Sequence, residues 1–396
     1  MALPTNNKSE RIRGINMKSV FNKYLTYCKL HAFLTILFLF LLFAAHWIPE
    51  ERILAHSTSF LPHNPEYSTL WNSLLGRDSG YRWNGIQALF RPLLYLFGPA
   101  QIRYLCMIAF FLLLFGAALQ ISRKLSPPFG FLLLFSFLWA DILPVSYSLL
   151  QAGCFLITFA AILFLLGKTS LYEREDPNFL YLAFYAIGAV TVFLDSGTIP
   201  VLTLGIPLTI AFLSIRKFSN STDIRKKLIF CSFFWGLGCL FMTVTKWLFT
   251  VLATGKNLFP EYLKRLWDEN FGAVHSLPQF FLSLYNNLRE FLSRPDFGIK
   301  TLAILLLILT AAYLTFFIMG HRIKRACLAL LPLAFISLLP LLFYLFAPAR
   351  GLTRPVLTSR ALIASMYPIL LLLHGMLDTE RISHKLHTAM KSLWRN

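Results

Sequence analysis

Long apolar runs separated by short polar or basic connections set the rhythm of this chain. A helix that crosses about 30 Å of hydrocarbon needs roughly 20 apolar residues. Runs approaching that length fall near 31–48, 104–122, 129–144, 148–166, 179–195, 199–215, 228–250, 301–319, 326–346 and 360–377. The pattern predicts an all-α, polytopic transmembrane helix bundle of about ten spans. The third run is short and is expected to end at Pro144. The sixth contains Pro200 and Pro207, which predicts a kink or break that neighbouring helices must compensate.

Two segments depart from the pattern, 49–103 and 252–300. Both mix aromatic and charged residues, as in Tyr262-Leu263-Lys264-Arg265-Leu266-Trp267 and Phe280-Phe281-Leu282-Ser283-Leu284-Tyr285. Such stretches suit amphipathic helices lying in the membrane interface. The organisation expected is a basic N-terminal segment 1–30, a transmembrane domain 31–377 carrying the two long loops, and a basic tail 378–396. No internal repeat is visible, which counts against an inverted-repeat transporter.

Composition agrees with the pattern. Of 396 residues 57% are hydrophobic and only 14% charged, too apolar for a soluble protein to cover its surface. The chain has 37 Lys and Arg against 18 Asp and Glu, for a net charge of +19. Basic loops facing anionic lipid account for that surplus, and no nucleic acid partner is expected. Cys28, Cys106, Cys154, Cys231, Cys239 and Cys327 lie in the apolar runs or at their basic ends, without metal-ligand spacing, and no disulfides are expected.

Lys8, Arg11, Arg13, Lys18, Lys23 and Lys29 precede the first apolar run, and His46-Trp47-Ile48-Pro49-Glu50-Glu51 follows it. This reads as an uncleaved signal anchor with its N-terminus inside. The even-numbered connections then face the cytoplasm. They carry Arg123-Lys124, Arg216-Lys217, Arg225-Lys226-Lys227 and Arg322, Lys324 and Arg325, and the tail adds Arg381, Lys385, Lys391 and Arg395. The basic excess lies on that side, as the positive-inside trend requires. One connection dissents, because Lys168 to Asp176 is slightly acidic. A multi-pass protein of a bacterial cytoplasmic membrane, with both termini cytoplasmic, is the localisation expected.

Once sides are assigned, several carboxylates and cations fall together at the outer face. Asp141 ends the third run and Asp195 the fifth. Asp195 precedes Ser196-Gly197-Thr198, a turn in which it can also cap the next helix. Asp78, Glu50 and Glu51 belong to the first long loop, with Arg77, Arg82 and Arg91. Lys246, in Met242-Thr243-Val244-Thr245-Lys246-Trp247-Leu248, is an ionisable group inside a span, a costly placement that marks function by default or snorkels to the interface. Arg350, Arg354 and Arg360 crowd the last outer loop, against the charge trend. Arginine offers paired planar donors suited to phosphate. The plainer alternative for each is a solvated helix end or a contact with lipid headgroups. No Asp-Xaa-Asp pair, His cluster, P-loop, dinucleotide fingerprint or nucleophile elbow occurs. A cytoplasmic ATP or nucleotide-sugar enzyme is therefore disfavoured.

At these residues the chain resembles a family of uncharacterised bacterial polytopic membrane proteins. The matching stretches are Gly80-Tyr81-Arg82-Trp83-Asn84-Gly85 with Leu89-Phe90-Arg91-Pro92-Leu93-Leu94, Phe193-Leu194-Asp195 through Pro207-Leu208, Trp235-Gly236-Leu237-Gly238 with Lys246-Trp247, and Thr358-Ser359-Arg360. Asn84-Gly85-Ile86 stands where that family usually has His-Gly-Tyr, so no acid–base role is assigned there. The layout in turn is similar to the GT-C glycosyltransferases, with many spans, a long first outer loop and carboxylates in the first two outer loops. Those carboxylates would be Glu50, Glu51 or Asp78, and Asp141. The resemblance implies transfer of a sugar from a polyprenyl-phosphate carrier to a glycan or lipid acceptor at the outer face.

The expectation is therefore a GT-C-like membrane glycosyltransferase. Lys246 with Arg350, Arg354, Arg360 or Arg82 would hold the phosphate, and Asp141, Asp195, Asp78, Glu51 or Glu50 would act as the base. A divalent cation is compatible with this scheme but not required by it. The rival readings are a flippase or transporter of lipid-linked sugars, a polymerase or ligase of surface glycans, and an assembly subunit without chemistry.

Overall fold

The structure, a computed structural model, describes residues 17–49, 51, 81–148, 151–173, 176–194, 199–218, 223–274, 276–293 and 323–376. Among the described residues the protein is helical throughout, with no strand. The helices are α1 (Met17–His46), α2 (Ile86–Leu96), α3 (Pro99–Lys124), α4 (Pro127–Trp139), α5 (Leu143–Tyr147), α6 (Ala152–Gly167), α7 (Ser170–Glu173), α8 (Asn178–Leu194), α9 (Val201–Phe218) and α10 (Ile224–Thr254). They are followed by α11 (Phe259–Phe271), α12 (Leu277–Leu292), α13 (Ile323–Ser337), α14 (Leu339–Phe346), α15 (Pro348–Thr353), α16 (Pro355–Thr358), the 3₁₀ turn η1 (Ser359–Leu362) and α17 (Ile363–Met376).

Five described helical segments are long and apolar enough to cross a membrane: Asn22–His46, Pro99–Lys124, Val201–Phe218, Ile224–Thr254 and Pro355–Gly375. Further apolar helices, among them Pro127–Trp139, Ala152–Gly167, Asn178–Leu194 and Leu330–Phe346, are shorter. The expected run 301–319 lies outside the described residues. The outer surface suits hydrocarbon. Tyr104, Ile108, Leu112, Phe115 and Leu119 form an exposed stripe along α3, and Phe33, Ile36, Phe40 and Phe43 are exposed on α1. Apolar stripes this extensive are unusual on soluble proteins.

Helix α9 is the centre of the bundle. Every residue from Val201 to Ile215 is buried, as a helix that is apolar all round requires. The helix continues through Pro207 without a break. The interruption falls instead in the ninth apolar run, where α13 ends at Ser337 and α14 restarts with Pro340 in its first turn. Proline disfavours helical geometry in the residue before it and is at home in a first turn. The carbonyl of Ser337 at the break accepts a 2.6 Å hydrogen bond from Ser365 of α17, which satisfies the freed group. Helix α4 also ends before the expected Pro144. It stops at Trp139, Asp141 takes a left-handed φ of 49°, and Pro144 lies in the first turn of α5.

Contacts fix the directions of the helices. Tyr181 stacks on Phe234, Cys239 donates to the carbonyl of Gly188, and Phe38 stacks on Phe193. Tyr27 meets Phe234, and His31 bonds Thr245. Residue numbers rise together, so α1, α8 and α10 run parallel. A Cβ on Gly188 would strike the carbonyl of Trp235, and one on Gly238 would strike that of Tyr185. These two glycines let α8 and α10 approach backbone to backbone. His31 bridges all three helices, bonded to Tyr185 at 2.8 Å and Thr245 at 2.9 Å.

Helices α3 and α6 are likewise mutually parallel, with Phe110 against Phe155 and Phe159 and Gly116 beside Leu163. Their C-terminal ends meet that of α9, where Lys217 donates to the carbonyls of Lys124 and Leu125. Lys168, just beyond α6, borders the same furrow as Lys29 of α1. One end of the bundle, the basic end, therefore gathers Lys23, Lys29, Lys124, Lys168 and Lys217. Asp176, from the connection that breaks the charge trend, pairs there with Lys23 at 3.3 Å.

The two long loops contain the amphipathic helices the sequence predicts. Helix α12 turns Leu277, Phe281, Tyr285, Leu288 and Leu292 outward on one face and buries Ser283 and Asn287 on the other. An exposed apolar face over a polar buried one suits the membrane interface.

Candidate functional site

At the end opposite Lys29 and Lys217, five segments far apart in sequence converge. The first is Tyr81–Gly85, just before α2. Its main chain is pinned from both sides. The Trp247 indole of α10 donates to the carbonyl of Tyr81 at 3.2 Å, and the Trp83 indole donates to the carbonyl of Met242 at 2.7 Å. Asn84 has a φ of 52°, and the amide of Gly85 bonds the carbonyl of Phe193 at 2.9 Å. A Cβ at Gly85 would collide with that carbonyl and the Phe193 ring, so only glycine permits this approach.

Tyr81 packs into an aromatic cluster with Trp247 and Tyr262, and Trp83 packs among Phe38 and Phe193. Arg82, between them, reaches into a cleft of about 140 Å³ that the Tyr81 and Trp83 rings also border, with its guanidinium 5.7 Å from the centre of the Tyr81 ring. Lys246 of α10 enters the same cleft with its ammonium 5.8 Å from the centre of the Trp83 ring, a cation–π distance. Arg350 of α15 completes the cationic set. Thr191 and Thr243 contribute hydroxyls, and Val192, Pro200 and Leu266 supply apolar wall.

Glu269 of α11 holds the two arginines together. Its carboxylate accepts from Arg82 at 2.5 Å and from Arg350 at 3.2 Å. The side chain of Arg350 is only 17% exposed, which strengthens that pair relative to a surface one. Among the described residues that line the cleft, the charged groups are these three cations, and Glu269 bonds two of them from the rim. Burial, and after it the charge of Glu269, pushes the Tyr81 phenol up to about 12, against the pull of Arg82, Arg350 and Arg265. Tyr81 therefore remains a neutral phenol across the physiological range.

A buried polar network positions Arg350. Ser283 donates to the carbonyl of Pro348, and Asn287 donates to that of Gly351 at 2.9 Å. Thr358 donates to the Asn287 side-chain oxygen at 2.6 Å, and Tyr344 donates to the carbonyl of Thr358 at 2.8 Å. The polar face of α12 thereby anchors α15 and α16, and with them the Arg350 backbone.

The other expected site residues divide. Asp141 lies at the same end of the bundle, but it meets Arg360 through its backbone. Arg360, almost fully buried, donates to the carbonyl of Asp141 at 3.2 Å and to that of Val356 at 3.1 Å. Its guanidinium braces the chain where α4 ends. The Arg354 side chain is exposed, and its carbonyl accepts from the Thr358 hydroxyl. Glu51 is exposed. Arg91 is fully buried and ties α2 to the end of the first run through the carbonyl of Ile48 at 2.7 Å. Asp195, Asp78 and Glu50 lie outside the described residues.

Lys246, Arg82 and Arg350 are thus brought together. Glu269 was not among the carboxylates singled out from sequence. Arg265 pairs with Glu261 one turn away on the same helix at 2.6 Å, an ordinary surface pair. In sequence Glu261 and Glu269 look alike: α11 carries Glu261, Asp268 and Glu269 against Lys264 and Arg265, and nothing local marks which acid has a distant partner. Among the described residues no group of three or more His, Cys, Asp and Glu is placed to hold a metal ion.

The fold and site define an all-helical protein with several helices of membrane-spanning character and a cationic, aromatic-walled cleft at one end. Comparison with family models, curated proteins and solved structures finds no match for the chain.

Proposed function

We propose that this chain is a GT-C-like membrane glycosyltransferase that moves a sugar from a polyprenyl-phosphate donor to a glycan or lipid acceptor at the outer face of the membrane. In this reading about ten spans cross the bilayer, the basic end faces the cytoplasm, and both termini lie inside. The observation that carries the proposal is the convergence of Arg82, Lys246 and Arg350 in one cleft at the opposite end. Two guanidiniums and an ammonium, partly withdrawn from water, form a preorganised receptor for phosphate. The exposed apolar face of α12 belongs at the interface, where a lipid-linked donor presents its headgroup.

In the reaction the bond between the anomeric carbon and the phosphate oxygen breaks, and polyprenyl phosphate leaves. The acceptor hydroxyl oxygen forms the new bond to that carbon, and its proton passes to a carboxylate. Arg82, Lys246 and Arg350 stabilise the charge that grows on the departing phosphate. Glu269 holds the arginine forks apart from substrate and yields them to the phosphate on binding. Glu269 is occupied by the two arginines, and the base is assigned to Asp141, Asp195, Asp78, Glu50 or Glu51. The three cations can neutralise the phosphate themselves; a divalent cation remains compatible.

The sites of flippases and transporters typically lie near the midplane, whereas this cleft opens beside Thr191 and Val192 in the last turn of α8. A surface-glycan polymerase or ligase would use the same cations.

The test is sugar transfer by the purified protein in nanodiscs, with a panel of radiolabelled polyprenyl-phosphate sugars and an envelope acceptor extract. Transfer lost in folded Arg82→Ala, Lys246→Ala and Arg350→Ala variants supports the proposal. No transfer with any donor, while labelled lipid crosses the bilayer of proteoliposomes, replaces it with the flippase.

A further inference from the structure

At the basic end, far from the cationic cleft, α1, α6 and α8 enclose a furrow of about 880 Å³. This lies within the range of about 300–1,000 Å³ typical of ligand pockets. Its two walls share one spacing. On α1 they are Thr26, Lys29, Leu30 and Phe33, and on α8 Phe179, Leu182, Ala183 and Ala186. The i, i+3, i+4, i+7 pattern sets each group on a single helix face. Because α1 and α8 run parallel away from the basic end, Leu30, Phe33, Leu182 and Ala186 lie deeper than Lys29.

The mouth has the opposite chemistry. Lys29 and Lys168 are exposed there, with the hydroxyl residues Thr169 and Ser170 beside them. The Lys168 ammonium stands 5.5 Å from the centre of the Phe164 ring, which borders the furrow. Among the described residues no carboxylate lines the space. Glu173 is exposed outside it, and Asp176 is engaged by Lys23 and Asn178.

We infer that this furrow binds an anionic phospholipid from the leaflet that the basic end faces. The phosphate sits at Lys29 and Lys168, and an acyl chain lies along the apolar walls of α1 and α8. Two cations on one mouth select a net negative headgroup over a zwitterionic one, whose own ammonium they repel. The apolar depth distinguishes a lipid from a free anion, which would leave it unfilled. The inference does not depend on the proposed glycosyltransferase activity.

The test uses the full chain in uncharged detergent, titrated with phosphatidylglycerol, with phosphatidylcholine of the same acyl chains, and with inorganic phosphate. Binding is read by native mass spectrometry and by the thermal unfolding midpoint. Phosphatidylglycerol is expected to bind about tenfold more tightly than phosphatidylcholine, and inorganic phosphate to leave the midpoint unchanged. Lys29→Gln with Lys168→Gln should bring the two lipids level, while Lys23→Gln should keep the preference. Equal binding of both lipids by the unmodified chain overturns the inference whether or not the double variant folds. Stabilisation by phosphate alone equal to that by lipid, or a preference retained in a folded double variant, overturns it as well.

Discussion

Arg82 and Glu269, 187 positions apart in the chain, meet at 2.5 Å. The same carboxylate reaches Arg350, a further 81 positions on, at 3.2 Å. One acid thus binds the segment before α2, helix α11 and helix α15 into the rim of a single cleft.

Replacing Glu269 by Gln should separate its two effects. The side chains of Glu269 and Arg82 are 36% and 31% exposed, so their pair is partly screened and its loss should cost no more than about 1 kcal/mol. Affinity of the cleft for a polyprenyl phosphate should instead rise, because the guanidiniums are released for phosphate. Thermal unfolding and lipid-phosphate titration check the two effects, and weaker titration in Glu269→Gln would reverse the placeholder role given to this acid.

Asn287→Leu should be more damaging than any single change at the cleft rim. It removes the side-chain donor to the buried Gly351 carbonyl and leaves the Thr358 hydroxyl only its second acceptor, the Arg354 carbonyl. A buried carbonyl left unsatisfied costs about 1–3 kcal/mol. Loosening α15 should also displace Arg350. A loss of unfolding free energy in Asn287→Leu well above that in Arg350→Ala is the outcome expected.

The Tyr81 phenol gives the site a signature at high pH. Its pKa is raised from 10.0 to about 12 in the folded protein. A raised pKa means the folded state holds the proton more tightly than the unfolded one. The corresponding stability is fully present below pH 10 and is lost as pH rises towards about 12. In difference titrations of the parent chain against Tyr81→Phe, the tyrosinate absorbance of Tyr81 should emerge near the upper value. Emergence near 10.0 would mean the ring is neither buried nor close to Glu269.

Asp141 and Arg360 can be tested for structural and chemical roles separately. Asp141 has a φ of 49°, tolerable for aspartate and costly by about 1–2 kcal/mol for a β-branched residue. Asp141→Gly should therefore preserve stability, and Asp141→Val should lower it. Arg360→Lys should destabilise the protein in the absence of any donor, since a single ammonium cannot replace the fork that reaches the carbonyls of both Asp141 and Val356. Unfolding curves for the three variants decide these points, and an undiminished Arg360→Lys would return Arg360 to the set of proposed phosphate ligands.

Much of the architecture is legible along the chain because its causes are local. The length of an apolar run, the basic residues at its end, and the outward stripe of Leu277, Phe281, Tyr285 and Leu288 follow from composition and helical periodicity. Proline was less informative. Pro207 passes inside an unbroken helix, whereas Pro340 accompanies the break at Leu338. The difference lies in packing. The ring of Pro207 sits in a helix buried on every side, while the break before Pro340 is met by Ser365.

The sequence by itself determined a helical, strongly apolar chain with a basic end, amphipathic helices between its apolar runs, and further cations at the opposite end. Only the tertiary structure decided which charges act together. Arg350, Arg354 and Arg360 stand within a few positions of one another, yet one faces the cleft, one faces solvent and one braces a backbone carbonyl. Glu269 gained its place from partners far away in sequence. Helix periodicity is written into neighbouring residues, whereas the strength of a charge pair depends on separation and burial, which exist only once distant segments have packed.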